Sequence, residues 1–158
     1  AVHPLLPPVR IAVARDAAFT FLYHDNLALL KTAGATILPF SPLSDAALPS
    51  DADMLYLIGG YPELHAPELA ANAAMRAAIK AFCERGRGLV WAECGGLMLL
   101  AQNLIVRGAD VATATEAARE AGAARAAEAV RGAASPQDGG GAELFVHPMC
   151  GVLPFDVS

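Results

Sequence analysis

Glu93, Cys94, Gly95 and Gly96 stand between two apolar runs in LVWAECGGLMLL, and their types and order suit nucleophilic catalysis. The run before them, Leu89 to Ala92, reads as a buried strand, and the run after, Leu97 to Ala101, as the start of a helix. Cys94 is therefore expected at a strand-to-helix corner. Such a corner holds a nucleophile out above the sheet, and glycines just after it let backbone and substrate approach closely. A thiol at a helix N-terminus also meets the positive end of the helix dipole, which favours the thiolate that attacks carbonyl carbon. The competing reading makes Cys94 a small buried hydrophobe, as free cysteines commonly are. A second glycine pair, Gly59-Gly60, leads into Tyr61-Pro62-Glu63 and taken alone is an ordinary tight turn.

The elements that must position these residues follow from the apolar pattern. Val9 to Ala14 is an apolar run broken only by Arg10 and followed by Arg15, as expected of a central parallel strand. Phe19, Tyr23, Leu27 and Leu30 then recur at helical spacing, with Gly34 placed to end the helix. Thr36 to Phe40 and Met54 to Ile58 read as further strands. Asn72 is a plausible N-cap for a helix whose face carries Met75, Ile79 and Phe82, and Gly86 supplies its stop. Leu89 to Glu93 is the fourth strand, with Trp91, Phe82 and Met75 assigned to the core. Strands alternating with helices at this spacing predict an α/β fold, an open, mostly parallel sheet with helices on both faces. Ligands bind such sheets at the carboxyl ends of the strands. Three segments should gather there: Arg15-Asp16, Gly59-Gly60-Tyr61 and Glu93-Cys94-Gly95. Gly60 and Gly95 are then candidates to donate backbone N–H groups to a developing oxyanion.

Composition sets the outer limits. The 158 residues suffice for one domain with a full core. A hydrophobic content of 55% against 17% charged excludes a disordered chain, and no apolar run has the length of a membrane span. A net charge of −5 with scattered lysines and arginines argues against nucleic acid as a partner. Cys83, Cys94 and Cys150 form neither a C-x-x-C pair nor a disulfide framework, which suits a reducing, cytoplasmic setting, and no metal-ligand spacing occurs. Residues 1–8 read as a Pro-rich linker. Residues 9–158 read as the domain proper, C-terminally incomplete, with an alanine-rich insertion at about 108–141.

Several motifs together carry a resemblance: ARDAAFTFLYHDNLALL, PFSPLSDAALP, GGYPELHAPELAANAAMRAAI, AECGGLMLL and HPMCGVLPFDV. They resemble the glutamine amidotransferase domain of the cobyrinic acid a,c-diamide synthase family, over about Val9 to Leu104 and again from about Leu144. The resemblance implies a class I glutamine amidotransferase-like, flavodoxin-like fold. It also implies a two-domain synthase in which a ligase domain, with ATP and Mg2+, activates corrin carboxylates while this domain hydrolyses glutamine and passes on ammonia for the a and c amides. On the family pattern Cys94 is the nucleophile and Gly60 and Gly95 are the oxyanion-hole donors. Gly59, Tyr61, Glu63 and Glu93 are candidates for substrate binding, against a second reading in which Glu93 hydrogen-bonds the turn and Tyr61 and Glu63 structure their loop; Arg15, Asp16 and Asn26 are assigned to shaping the site or its ammonia exit.

Two departures from the pattern stand out. The family's general-base histidine lies downstream of the MCGVLPFDV segment, and His3, His24, His65 and His147 are poor substitutes for it. The sequence also has no G-x-x-x-x-G-K-[ST] phosphate loop, so no cofactor is expected in this chain itself. The expectation is therefore an amidotransferase portion cut from a longer protein, inactive or weakly active alone. Two alternatives remain: a non-catalytic binding or regulatory remnant of the same fold, and the equivalent domain of a related tetrapyrrole amidase such as nickel-sirohydrochlorin a,c-diamide synthase.

Overall fold

A computed structural model describes residues 8–108 and 144–158. The amino-terminal linker and the alanine-rich insertion lie outside the described residues, apart from Pro8 and Gly108. Strands β1 (Arg10–Ala14), β2 (Thr36–Phe40), β3 (Met54–Leu57) and β4 (Leu89–Ala92) form one parallel sheet in the order β2-β1-β3-β4. Register is continuous, with Ile11 opposite both Ile37 and Met54, and Tyr56 opposite Trp91. The chain passes from β1 outward to β2 and then back across to β3, so the order reverses between β1 and β3. That reversal opens the crevice at the carboxyl ends of the strands where ligands bind in folds of this type.

Burial explains the central strands. Ile11, Val13, Leu55, Leu57 and Ile58 are at most 3% exposed and pack with Met75, Ile79 and Phe82 of the helix Ala73–Glu84. That helix starts as expected: the Asn72 side chain accepts a 3.2 Å hydrogen bond from Met75 N–H, and Gly86 follows its end at φ +67. A 3-10 turn (Pro62–His65) and a short helix (Ala66–Ala71), neither anticipated from the sequence, fill the space between β3 and that helix. We number the helices α1 (His24–Thr32), α2 (Ala66–Ala71), α3 (Ala73–Glu84) and α4 (Gly95–Leu100).

Two sequence expectations need correction. The helix expected from Phe19 begins only at His24, because Asp16 competes for the backbone: its Oδ1 accepts from the N–H groups of Ala18 and Phe19 at 2.9 and 3.2 Å and holds an irregular loop. Phe19 is fully buried within that loop. Trp91, assigned to the core, is 58% exposed and Leu89 59%. They alternate on one side of β4, which among the described residues pairs only with β3, and no described element covers that side.

The apolar run at Leu144 pairs with a strand that the sequence did not reveal. Strand β5 (Asn103–Arg107) lies antiparallel to β6 (Leu144–Pro148). Residues after β6 fold back onto the C-terminal end of α4. Cys150 N–H donates to Leu99 O at 3.0 Å, Val152 and Leu153 to Leu100 O, and Gly151 to Ala101 O at 2.7 Å. These bonds satisfy the carbonyls that a helix end leaves open. Arg76 of α3 fastens the same strap through a 3.2 Å bond to Met149 O.

Helix α4 and the sheet approach closely at Gly96. A Cβ there would fall on the carbonyl and side chain of Leu57, so α4 lies directly on β3. The substitution Gly96→Ala should cost about 1–3 kcal/mol despite alanine's better helix propensity, because the obstacle is backbone. A lowered urea midpoint with unchanged m-value would verify it; an unchanged midpoint would refute the close approach.

Candidate active site

Cys94 has φ +49 and ψ −115, and is the only non-glycine residue with positive φ among the described residues. A side chain in that region is held there against a preference of roughly 1–3 kcal/mol, and such strain gathers at functional corners. Backbone bonds impose the conformation. Glu93 N–H donates to Leu57 O at 3.1 Å, continuing the β3–β4 ladder one step beyond the strand, while Gly96 N–H reaches back to Glu93 O and Leu97 N–H to Cys94 O, both at 2.9 Å. The helix begins at Gly95, earlier than the apolar run suggested, so both glycines lie in its first turn. Cys94 is exposed, which sets aside its reading as a buried hydrophobe.

Gly59 and Gly60 lie beside this corner. A Cβ on Gly59 would be 3.4 Å from Cys94 Cβ and 2.8 Å from Phe21 Cδ2; one on Gly95 would be 3.2 Å from the nitrogen of Gly60 and 2.8 Å from Pro62 Cδ. A Cβ on Gly60 would collide with the backbone of Ala18 and Phe19. The double glycine is thus wedged between the loop after β1 and the corner after β4. Two bonds tie it to that loop: Phe21 N–H donates to Gly59 O at 3.0 Å and Tyr61 N–H to Ala18 O at 2.9 Å. The N–H groups of Gly60 and Gly95 have no acceptor among the described residues, although both glycines are buried. Buried donors without partners are uncommon, and here two are neighbours.

The remaining residues singled out in the sequence divide. Asp16 is committed to structure: beyond the bonds to Ala18 and Phe19, its Oδ2 accepts from Ser41 Oγ at 2.8 Å and Leu43 N–H at 2.9 Å. It shapes the loop that seats Gly60. Arg15 is exposed, with its N–H on Phe40 O. Tyr61 is half exposed and meets Phe21 edge to face at 5.1 Å. Glu63 lies in the first turn of the 3-10 segment. Glu93 is exposed, and its Oε1 accepts a 2.6 Å bond from the hydroxyl of Tyr56. Asn26 lies in the first turn of α1. Tyr56 was missed in the sequence because it sits in an apolar strand; the only available signal was a polar-tipped residue at a position two before the end of a buried run.

Among the histidines, His24 opens α1 and is exposed, and His65 is buried with its Nδ1 3.7 Å from Glu68 Oε1. His147 sits on β6, where burial lowers its pKa. Burial pushes the Cys150 thiol up to about 12 and raises that of Cys83 as well. No group of three or more His, Cys, Asp or Glu among the described residues is arranged to hold a metal ion, and no described helix is long and apolar enough to cross a membrane.

Comparison with known proteins bears on this geometry. The sequence model of the CobB/CobQ-like glutamine amidotransferase domain matches residues 10–123. The cobyrinate a,c-diamide synthase of Listeria monocytogenes serotype 4b is 51% identical over 96 residues, covering 61% of this chain and 21% of the relative. The hydrogenobyrinate a,c-diamide synthase of Stutzerimonas stutzeri is 54% identical over 105 residues, covering 66% and 24%. That of Pseudomonas aeruginosa is 56% identical over 95 residues, covering 60% and 21%. The matched part of the chain thus spans about a fifth to a quarter of the length of these relatives. No solved structure matches the chain.

Strain at the corner gives one expected outcome. Cys94→Gly should be more stable than Cys94→Ala by about 1 kcal/mol in urea unfolding, since glycine relieves the positive φ and loses part of the gain to chain entropy. Equal midpoints would remove the strain. Exposure gives another. At pH 8, iodoacetamide should modify Cys94 and leave Cys150 unmodified, because a thiol ionising only near 12 is protonated through the whole range below; peptide mapping would show a contrary order at once.

Proposed function

Because this chain belongs to the CobB/CobQ-like glutamine amidotransferase domain family, we propose that it hydrolyses glutamine through a cysteinyl thioester and supplies ammonia to an amidation reaction. The observation that carries this reading is the pairing of a strained, exposed Cys94 with the two unpartnered N–H groups of Gly60 and Gly95 beside it. The Cys94 thiolate attacks the side-chain amide carbon, and the carbonyl oxygen takes up negative charge. The N–H groups of Gly60 and Gly95 receive that oxyanion. A preorganised donor of this kind lowers a barrier by roughly 3 kcal/mol. Collapse of the intermediate breaks the C–N bond and releases ammonia, the nitrogen having gained the proton that the thiol gave up. Water then hydrolyses the thioester to glutamate and returns the thiol.

The general base is the histidine that the family pattern puts downstream of the MCGVLPFDV segment, so this portion alone is inactive or weakly active. Tyr61 and Glu63 border the glutamine site. In the whole protein, the ammonia goes to the a and c carboxylates of cobyrinate or hydrogenobyrinate, the compounds in the names of the relatives. A ligase domain with ATP and Mg2+ activates those carboxylates, and the protein works in the cytoplasm. Residues 9–158 form the amidotransferase domain, with an alanine-rich insertion at about 108–141.

Treatment with a diazoketone analogue of glutamine, followed by peptide mass spectrometry, tests the reading. The expected result is an adduct at Cys94 at least about tenfold ahead of Cys83 and Cys150, protected by free glutamine, the ratio that a bound substrate's worth of about 1.4 kcal/mol would give. An adduct distributed evenly over the three cysteines, with no protection, would leave a non-catalytic remnant of the fold as the better account.

A further inference from the structure

The thioester chemistry gives the Glu93 side chain no task, yet this exposed carboxylate is tied at the corner by one short hydrogen bond. Its Oε1 accepts the 2.6 Å bond from Tyr56, and its Oε2 has no partner among the described residues. Tyr56 lies opposite Trp91 in the β3–β4 register, so its hydroxyl reaches along β4 to the residue just before the nucleophile. Trp91 holds the tyrosine ring edge to face at 6.3 Å. Burial, and then the carboxylate itself, push Tyr56 up to about 12. Through the neutral range the phenol therefore keeps its proton and remains a donor.

A carboxylate with one oxygen pinned and the other open is a defined receptor for a primary ammonium, which brings three N–H donors and a full positive charge. Glutamine carries such a group four bonds from the amide carbon that Cys94 attacks, on the far side of three carbons. We propose that Glu93 receives the α-ammonium of glutamine and that Tyr56 is a positioning residue that aims Glu93 at it. This rests on the glutaminase reading of Cys94. An exposed glutamate turns about three side-chain bonds, and ordering it at the moment of binding costs entropy; Tyr56 does that ordering in advance.

The test compares two reagents on one thiol: the free-amine diazoketone analogue of glutamine and its N-acetyl derivative, which lacks the ammonium. Because both meet the same Cys94, the ratio of their labelling rates is blind to changes in thiol ionisation or in the stability of the corner. The intact protein should favour the free amine by about tenfold or more, the factor expected for a hydrogen bond to a charged group. Glu93→Gln, which keeps the Tyr56 bond and loses the charge, should bring the ratio to near unity. Tyr56→Phe, which keeps the ring against Trp91, should lower it several-fold. Unchanged ratios in both variants, or an intact protein that takes both reagents equally, would overturn the proposal and leave Cys94 as the nucleophile. A fall in Glu93→Gln alone would overturn the part given to Tyr56. Labelling of Cys94 by the free amine no faster than of Cys83 or Cys150 would overturn the nucleophile reading and this one with it.

Discussion

The contact between the backbone of Gly96 and the carbonyl of Leu57 governs where everything else at the corner can stand. Leu57 O already accepts the N–H of Glu93, so the chain leaves β4 in ladder register and must have its helix seated on β3 three residues later. No relaxed L-residue conformation turns the backbone so sharply, and the strain is taken at Cys94 with φ +49. Several weak restraints keep it there: the bonds from Gly96, Leu97 and Met98 back to Glu93 and Cys94, and the strap that closes the far end of α4. Six helical residues would be marginal alone, so α4 owes its existence to what binds its two ends.

The second constraint is a loop that reads as helix. Residues 17–23 have the apolar spacing of a helical face, and that expectation fails because one carboxylate offers the backbone a better arrangement. Asp16 accepts four hydrogen bonds, two from its own loop and two from Ser41 and Leu43 after β2. The loop so fixed presents Ala18 O to Tyr61 and its backbone to Gly60. Periodicity records which residues are apolar; it carries no information about a side chain that caps a turn across the sheet. The legible parts were those with local causes: the four strands, the Asn72 cap, the stop at Gly86, and the corner at Cys94 marked by its glycines.

Other features depended on distant partners and were correspondingly hidden. The run LVWA has the composition of a strand buried on both faces, and Val90 and Ala92 are half buried as that implies, but Leu89 and Trp91 are exposed. Apolar composition identifies the strand, while the cover over each face belongs to other parts of the chain. Strand β5 escaped notice because its partner is β6, joined through residues 109–143, and no turn signal links the two. Tyr56 belongs to the same group. Its meaning comes from a carboxylate 37 positions away, brought into reach by parallel pairing of β3 with β4.

Cys94 and Cys150 show how far placement outweighs residue type. Cys94 and Cys150 attend the two ends of the same short helix. At the N-terminal end the chain must turn outward to enter the helix, so the Cys94 thiol is exposed beside two open backbone donors. At the C-terminal end the strap turns inward to reach open carbonyls, and Cys150, whose N–H makes one of those bonds, is carried into the core at 4% exposure. Its thiol is pushed up to about 12, because burial costs the thiolate more than the positive charges of Arg76 and Lys80 return. Helix ends differ in what they leave unsatisfied, N–H groups at one and carbonyls at the other. That difference leaves the donors at the first end open to an incoming oxyanion and has the carbonyls at the second end taken up by the protein's own backbone.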